Sequence, residues 1–331
     1  MDTPSPVADP TTDPRAVTVT SLQPRQAVRI TGRHRLRFLH AMTSSGLLKA
    51  APGDARFATM STAAGKHLGQ MSLEVSDDHL TLSGLPGSVP RVLAGLAAHR
   101  VADDVRWGAP VARRTLVVQG PDHATVVAVV ARALGLEDAA SLPAPGHFVD
   151  LEDVRISAWE AVASEVGQPL VRLEVAEADG VDADAVTARL GAALVTAGAD
   201  AGTEGDWEQQ RILTQWPDDA RDLPEEESTL ASPRLVANVD WQKGCFLGQE
   251  AFVMARDRGA APRRLCALRV SGAPPEPGAA ILRGDDVIGR VGSVAIAGAT
   301  AVLLTVLRRK IAEDPQDLRL EDGRPLSATA A

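Results

Sequence analysis

Val239-Asp240-Trp241-Gln242-Lys243-Gly244-Cys245-Phe246-Leu247-Gly248-Gln249-Glu250 sets a thiol beside a cation, between two glycines, with an amide and a carboxylate just behind. The thiolate is the reactive form of cysteine, and a neighbouring Lys lowers a thiol's pKa. Gly244 and Gly248 let the backbone turn sharply or approach a ligand closely. Gln249 and Glu250 offer the donors and acceptors that the edges of a polar ring need. The same residues also fit a plain structural role, with Lys-Gly ending a helix, Cys-Phe-Leu forming a buried patch and Gln-Glu starting the next helix.

Upstream, regularity fades from Thr214 to Trp241, where Pro217, Pro224 and Pro233 punctuate an acidic run, Asp222 to Glu227. A long irregular segment inside a compact domain is usually functional or disordered, and this one runs straight into the thiol stretch. Downstream, residues 263–331 hold short apolar runs separated by Gly, Pro and Asp, which reads as an all-β barrel or sandwich. Further back, Met71, Leu73 and Val75 alternate with Ser72, Glu74 and Ser76, and Val171, Leu173 and Val175 alternate likewise; both read as half-buried strands. The first strand reads as Ala27–Ile30. Strand–glycine–helix occurs twice, at Gly32 and Gly120, which favours two α+β units over one long sheet. Residues 1–17, rich in Pro, Asp and Thr, read as a disordered tail. The expected division is 1–17 tail, 18–108 first α+β lobe, 109–260 second α+β lobe carrying the 239–259 loop, and 261–331 barrel.

At 331 residues, 45% hydrophobic and 23% charged, the chain is an ordinary soluble globular protein with room for two or three domains. A formal charge of −9 argues against a general nucleic-acid binder, which leans on Lys and Arg to neutralise phosphates. Only Cys245 and Cys266 occur, with no CxxC and no His beside either, so no zinc site is written and the thiols suit a reducing cytosol. No secretory signal opens the chain and no apolar run is long enough to span a bilayer, so the expectation is a cytoplasmic protein without a membrane partner.

Lys243-Gly244-Cys245-Phe246-Leu247-Gly248-Gln249-Glu250 resembles the signature of the folate-binding YgfZ proteins, relatives of the glycine-cleavage T-protein (aminomethyltransferase) that are linked to iron–sulfur cluster assembly and repair. Ile30-Thr31-Gly32 through Phe38-Leu39, Val117 to Pro121, Arg211-Ile212 with Pro217, Leu223-Pro224 with Glu226, and Gly289 to Val294 are similar to other elements of that family. The resemblance implies an α+β fold in which two α+β lobes and a C-terminal β-barrel surround a central channel. It implies tetrahydrofolate or a related reduced folate as ligand, and iron–sulfur client enzymes or assembly factors as partners. Carried onto this chain, Cys245 and Lys243 would be the reactive pair, and Trp241, Gly244, Gly248, Gln249, Glu250, Arg256 and Arg258 would shape or contact the folate site. The implied function is a folate-binding accessory protein; the alternatives are a folate-dependent one-carbon transferase and a ligand-free scaffold.

Some positions depart from the T-protein pattern. Gly65 to Met71 has no carboxylate where the T-protein has its catalytic aspartate, which argues against aminomethyl transfer. Gly167-Gln168-Pro169 stands where T-proteins clamp the pterin with Gly-x-Glu, Ser45-Gly46 replaces an Asn-Asp pair, Gln215 replaces a Gly and Met254 an Arg. Trp241 and Trp216 are candidates to stack on a flat ring, although large aromatics usually supply core area. A lone His such as His67 is more often a solvated or hydrogen-bonded surface side chain than a functional one. Cys266, in an apolar strand context, reads as a small buried hydrophobe.

Overall fold

The computed structural model describes residues 16–224, 226–257 and 261–329. The tail expected at the N-terminus therefore lies largely outside the described residues, as does Arg258.

Ten strands form the first sheet: β1 (Thr18–Thr31), β2 (Ala55–Ser61), β3 (His67–Val75), β4 (Leu80–Gly84), β5 (Arg106–Trp107), β6 (Val111–Gln119), β7 (His147–Leu151), β8 (Val154–Trp159), β9 (Leu170–Ala176) and β10 (Asp200–Ala201). Their order is β2-β3-β4-β1-β6-β9-β8-β7, with β5 and β10 also on β1. The two α+β units thus share one sheet. The first strand is much longer than the Ala27–Ile30 run that hydrophobicity marks, because its polar N-terminal half pairs with β6 while its C-terminal half also pairs with β4. The sheet curls until its ends meet: Asp54 bridges His147, the Ala55 N–H donates to Gly146 O at 2.7 Å, and the Phe148 N–H donates to Gly53 O at 2.8 Å.

Curling decides which side chains go where. The outer face of one half buries Met71, Leu73 and Val75 with α1 (Arg35–Met42) and α2 (Val89–His99). The outer face of the other buries Val171, Leu173 and Val175 with α3 (His123–Leu134) and α4 (Ala183–Thr196). The alternate residues do not face water, contrary to the half-buried reading of both strands. Ser72, Glu74, Arg172 and Glu174 are all buried on the inner face, where the sheet closes on itself. Charged groups survive there because they pair. Arg155 donates to Glu74 at 2.9 Å, Arg113 lies 3.6 Å from Glu74 and 3.3 Å from Glu174, and Arg25 lies 3.6 Å from Glu174.

After α5 (Glu204–Leu213), the described residues of the irregular segment contain only α6 (Pro233–Ala237) and a short 3-10 turn before α7 (Gln249–Asp257). The second sheet comprises β11 (Arg263–Ser271), β12 (Ala280–Arg283), β13 (Asp286–Arg290), β14 (Val294–Ala297), β15 (Thr300–Arg308), β16 (Leu318–Leu320) and β17 (Pro325–Ala328), in the order β13-β12-β16-β17-β11-β15-β14. This sheet also curls: the chain after β13 returns to β15, with the Gly292 N–H donating to Leu304 O at 2.8 Å. A knot joins the halves. Asp222 accepts from the Ser293 N–H at 2.7 Å, the Ser293 hydroxyl at 2.8 Å, the Asp218 N–H at 2.8 Å and Arg211 at 3.1 Å. A Cβ on Gly292 would meet Asp222 Oδ1 at 2.3 Å, so this approach requires glycine. No helix among the described residues is long and apolar enough to cross a membrane.

Candidate functional site

The thiol loop packs against the end of α1. Asp240 donates its N–H to Ser44 O at 3.0 Å and Leu247 its N–H to Ala41 O at 2.9 Å. The Lys243 ammonium donates to the carbonyls of His40 and Thr43, two of the otherwise unpaired oxygens at the end of α1. It also lies 4.9 Å from the centre of the Phe246 ring. Burial brings the Lys243 amine down to about 8, against the upward pull of Asp240. Gly248, at φ +82°, passes so close to Thr62 that a Cβ would lie 2.6 Å from its carbonyl oxygen. Gln249 closes the loop by accepting from the Phe246 N–H at 3.3 Å.

This frame leaves Cys245 exposed, beside Gly244 at φ +93° in open space. Glu250 is exposed in the first turn of α7. Trp241, half-exposed, meets Phe252 edge-on, and the Arg256 guanidinium sits 5.1 Å from its ring centre while bonding Asp257 at 3.0 Å. Cys266 is buried in β11 as expected, and burial pushes its thiol up to about 12.

A cavity of about 60 Å³ opens elsewhere, between the inner face of the first sheet and α5. Its wall is aromatic and charged: Phe57, Trp159, Trp207 and Trp216 beside Arg25, Glu165, Arg172, Glu204, Glu208, Arg211 and Asp218. None of the described residues of the 239–259 loop lines it, so the exposed thiol and the cavity are separate features. Of the sequence candidates among the described residues, only Trp216 reaches the wall. It is fully buried, set edge-on to Phe57 at 5.1 Å, and its indole N–H donates to Gln70 Oε1 at 2.7 Å.

The cavity's polar groups fall into two sets. On the α5 side the charges are mutually satisfied: Arg211 donates to both oxygens of Glu208 at 2.9 Å, and Arg221 donates to Glu208 at 3.0 Å and to Asp218 at 3.3 Å. On the sheet side they are not. Arg172 donates to Glu165 Oε1 at 2.8 Å, yet Arg172 Nε, Glu165 Oε2 and Arg25 Nε are buried with no hydrogen-bond partner. Buried polar atoms in native proteins are nearly always satisfied, so three orphans on neighbouring residues make this the less well-paired side of the cavity.

Behind the wall, His67 is fully buried rather than on the surface. Its Nε2 lies 2.6 Å from Asp219 Oδ1 and its Nδ1 2.9 Å from Thr229 Oγ1. Asp219 also accepts from the Ser88 hydroxyl and from the Gln70 N–H at 2.9 Å. Burial pushes the Asp219 carboxyl up, but the His67 ring and these donors outweigh it and hold it below its usual range. The group fixes residues 217–229, and with them one edge of the cavity, to β3.

Sequence reasoning missed Arg25, Glu165, Arg172 and Gln70. The available signal was the placing of Arg172 and Glu174 at alternate positions of an apolar strand. A charged residue on a strand with helices over one face reads as solvent-facing until closure of the sheet is known.

No family model matches the chain, and no curated protein does. Among solved structures, the glycine cleavage system aminomethyltransferase T of Bartonella henselae superposes with a TM-score of 0.75 at 16% identity, over 96% of this chain and 86% of that one. The heterotetrameric sarcosine oxidase of a Corynebacterium species matches 56% of this chain and 85% of its own at 18% identity, with a TM-score of 0.32. The first of these establishes a T-protein-like fold: mixed α/β, with two curled sheets.

Proposed function

We propose that this chain is a folate-binding accessory protein of the YgfZ kind, which takes a reduced folate into the aromatic cavity and supports the assembly or repair of iron–sulfur enzymes through the exposed Cys245 loop. One observation carries the ligand half. Four aromatic rings wall the cavity, with the charged residues Arg25, Arg172 and Glu165 among its lining. Aromatic side chains stack on flat rings, and a folate would have to widen this cavity of about 60 Å³ on entering it. A T-protein-like fold and the signature loop point the same way. When bound, the folate would supply one-carbon or redox chemistry; the chain's own residues would bind and orient it.

The thiol half rests on an exposed sulfur in a loop held by Lys243, Gly248 and Gln249. One thiol cannot hold a whole cluster, so any contact with iron would be shared with a client enzyme or assembly factor in a reducing, cytoplasmic setting. Because the thiol lies off the cavity wall, ligand and thiol have separate duties. The test is complementation. Cys245→Ala is expected to fold and bind folate normally, yet fail to restore iron–sulfur enzyme activity in a strain lacking the protein. Full restoration would remove the thiol from the account.

A second reading, a folate-dependent one-carbon transferase, is favoured by one feature: a carboxylate, Glu165, among the residues that line the cavity. It predicts transfer of a one-carbon unit from an aminomethyl donor to tetrahydrofolate, lost in Glu165→Gln. Absence of turnover at saturating folate would leave the accessory role.

A further inference from the structure

The turn after α1 is the seat of the thiol loop. Ser44 ties it to β2, its N–H donating to Thr59 O at 2.9 Å and its hydroxyl accepting from the Thr59 N–H at 2.9 Å. Ser44 O then takes the Asp240 N–H, the carbonyls of His40 and Thr43 take the Lys243 ammonium, and a Cβ on Gly46 would meet Asp240 Oδ2 at 2.3 Å. Fully buried Leu47 closes the turn, and its N–H donates to His40 Nδ1 at 3.1 Å.

That last bond needs a neutral ring. Nδ1 must keep its lone pair for Leu47, so the ring proton stands on Nε2. The Lys243 backbone carbonyl also faces the ring, so His40 touches both the seat and the loop. A second proton would go to Nδ1, where it would oppose the Leu47 N–H donor to donor and set an imidazolium beside the Lys243 ammonium. Burial first, and then the Lys243 charge, push the His40 pKa down; the Lys243 carbonyl and Asp240 pull it up without restoring it. A helix C-terminus ordinarily favours a cation, but Lys243 already holds the carbonyls there. The docked loop therefore prefers neutral His40. Docking is at full strength above the ordinary histidine value, about 6.5, and weakens as pH falls through the lowered one. Lys243, brought down to about 8, is already an ammonium below about pH 7, so in that range it repels rather than titrates.

We infer that His40 is an acid-release latch for the thiol loop. A proton on its ring ends the Leu47 bond, sets a second cation against Lys243 and lets residues 240–247 leave the end of α1. Release turns out Phe246, which packs edge-on against Phe252 at 5.6 Å, beside Cys245. Cys245 is exposed while the loop is docked, so acid changes what surrounds the thiol and not whether solvent reaches it. The latch governs when a partner can meet those apolar side chains; that consequence rests on the accessory reading, while the latch itself stands on the contacts alone.

The experiment is amide hydrogen exchange on the full chain, corrected for its intrinsic pH dependence, at about pH 7 and about pH 5, with an NMR titration of the His40 ring alongside. It is repeated on His40→Asn, whose side-chain oxygen stands where Nδ1 does and takes no proton. The expected result is that protection of the Leu47, Asp240 and Leu247 N–H groups falls about fivefold in acid, that the loss shares its midpoint with the His40 ring, and that His40→Asn removes the step while its unfolding midpoint stays near native. A step that survives in His40→Asn, or is absent from the native protein, would overturn the inference. So would a midpoint near about 4, which assigns the step to Asp240, or an equal loss across β3 and β9, which is general loosening in acid. If His40→Asn loosens the loop at neutral pH, the shared midpoint decides: ring and amides that titrate apart overturn the latch. None of these outcomes touches the thiol reading, which stands or falls on complementation by Cys245→Ala.

Discussion

Glu74 and Glu174 sit at equivalent inward positions on β3 and β9, yet neutralising them should have opposite consequences. Both are almost fully buried, with side chains 1% exposed. Burial pushes the Glu74 carboxyl up and nearby Glu174 adds to this, beyond what Arg113 and Arg155 return. Burial also disfavours ionised Glu174, but Arg113, Arg172 and Arg25 outweigh it and hold that carboxyl below its usual value. The fold therefore favours the charge on Glu174 and resists it on Glu74. Glu174→Gln leaves cations in the interior without their counter-ion, a loss of about 3–5 kcal/mol. At roughly 2–4 °C per kcal/mol this lowers the unfolding midpoint by about 10 °C at pH 7. Glu74→Gln removes a charge that burial disfavours, and Arg155 keeps Asp150 as partner, so stability should change by under about 1 kcal/mol, or rise.

The pH dependence follows from the same signs. Glu174's contribution is present above the unfolded carboxylate value and is lost as pH falls through its depressed folded value, so the cost of Glu174→Gln shrinks in acid. Glu74 weakens the fold as pH rises from the unfolded carboxylate value through its raised folded one, and Glu74→Gln removes that slope. Thermal unfolding followed by circular dichroism from about pH 2 to 8 reads both. Equal losses for the two variants, or a larger one for Glu74→Gln, would refute the reasoning.

Three further outcomes are expected. Asp222→Ala unties Ser293 and the Asp218 N–H and leaves Arg211 with Glu208 alone as its carboxylate partner, costing about 2–4 kcal/mol in chemical denaturation; a change under about 1 kcal/mol would show the knot to be dispensable. Gly248→Ala places a methyl against Thr62 O at positive φ and costs about 1–3 kcal/mol, seen as faster proteolysis of the thiol loop, while Gly244→Ala meets open space and costs less; the reverse order would contradict the loop geometry. Alkylation of the native protein at pH 8 should add one adduct by mass spectrometry, on exposed Cys245 and not on Cys266, whose buried thiol stays protonated there; two adducts, or one on Cys266, would contradict the burial.

The longer helices and most strands were legible because apolar periodicity and glycine stops are local, whereas the short α6 (Pro233–Ala237) was not. Asp122, for example, caps α3 by accepting from the Thr125 N–H, and Gly135 ends it at φ +68°. The thiol loop was legible as a motif but its contacts were not, because Lys243 reaches the end of α1 and Gly248 reaches Thr62, both far away in the chain. The cavity was not legible. Its wall brings together Arg25 from a bulge, Gln70, Arg172 from the inner face of β9 and Trp216 from an irregular segment, and only closure of the sheet makes them neighbours. Strand alternation marks which residues share a face, but it cannot say whether that face meets water or its own far end.

The most direct test of the central claim is a structure determined with tetrahydrofolate at saturating concentration. The account predicts ligand between Trp159, Trp207 and Trp216, bonded to Arg172 and Glu165, with Cys245 still open to solvent away from it. Ligand found only against the Cys245 loop, or a cavity that stays empty at saturation, would contradict it.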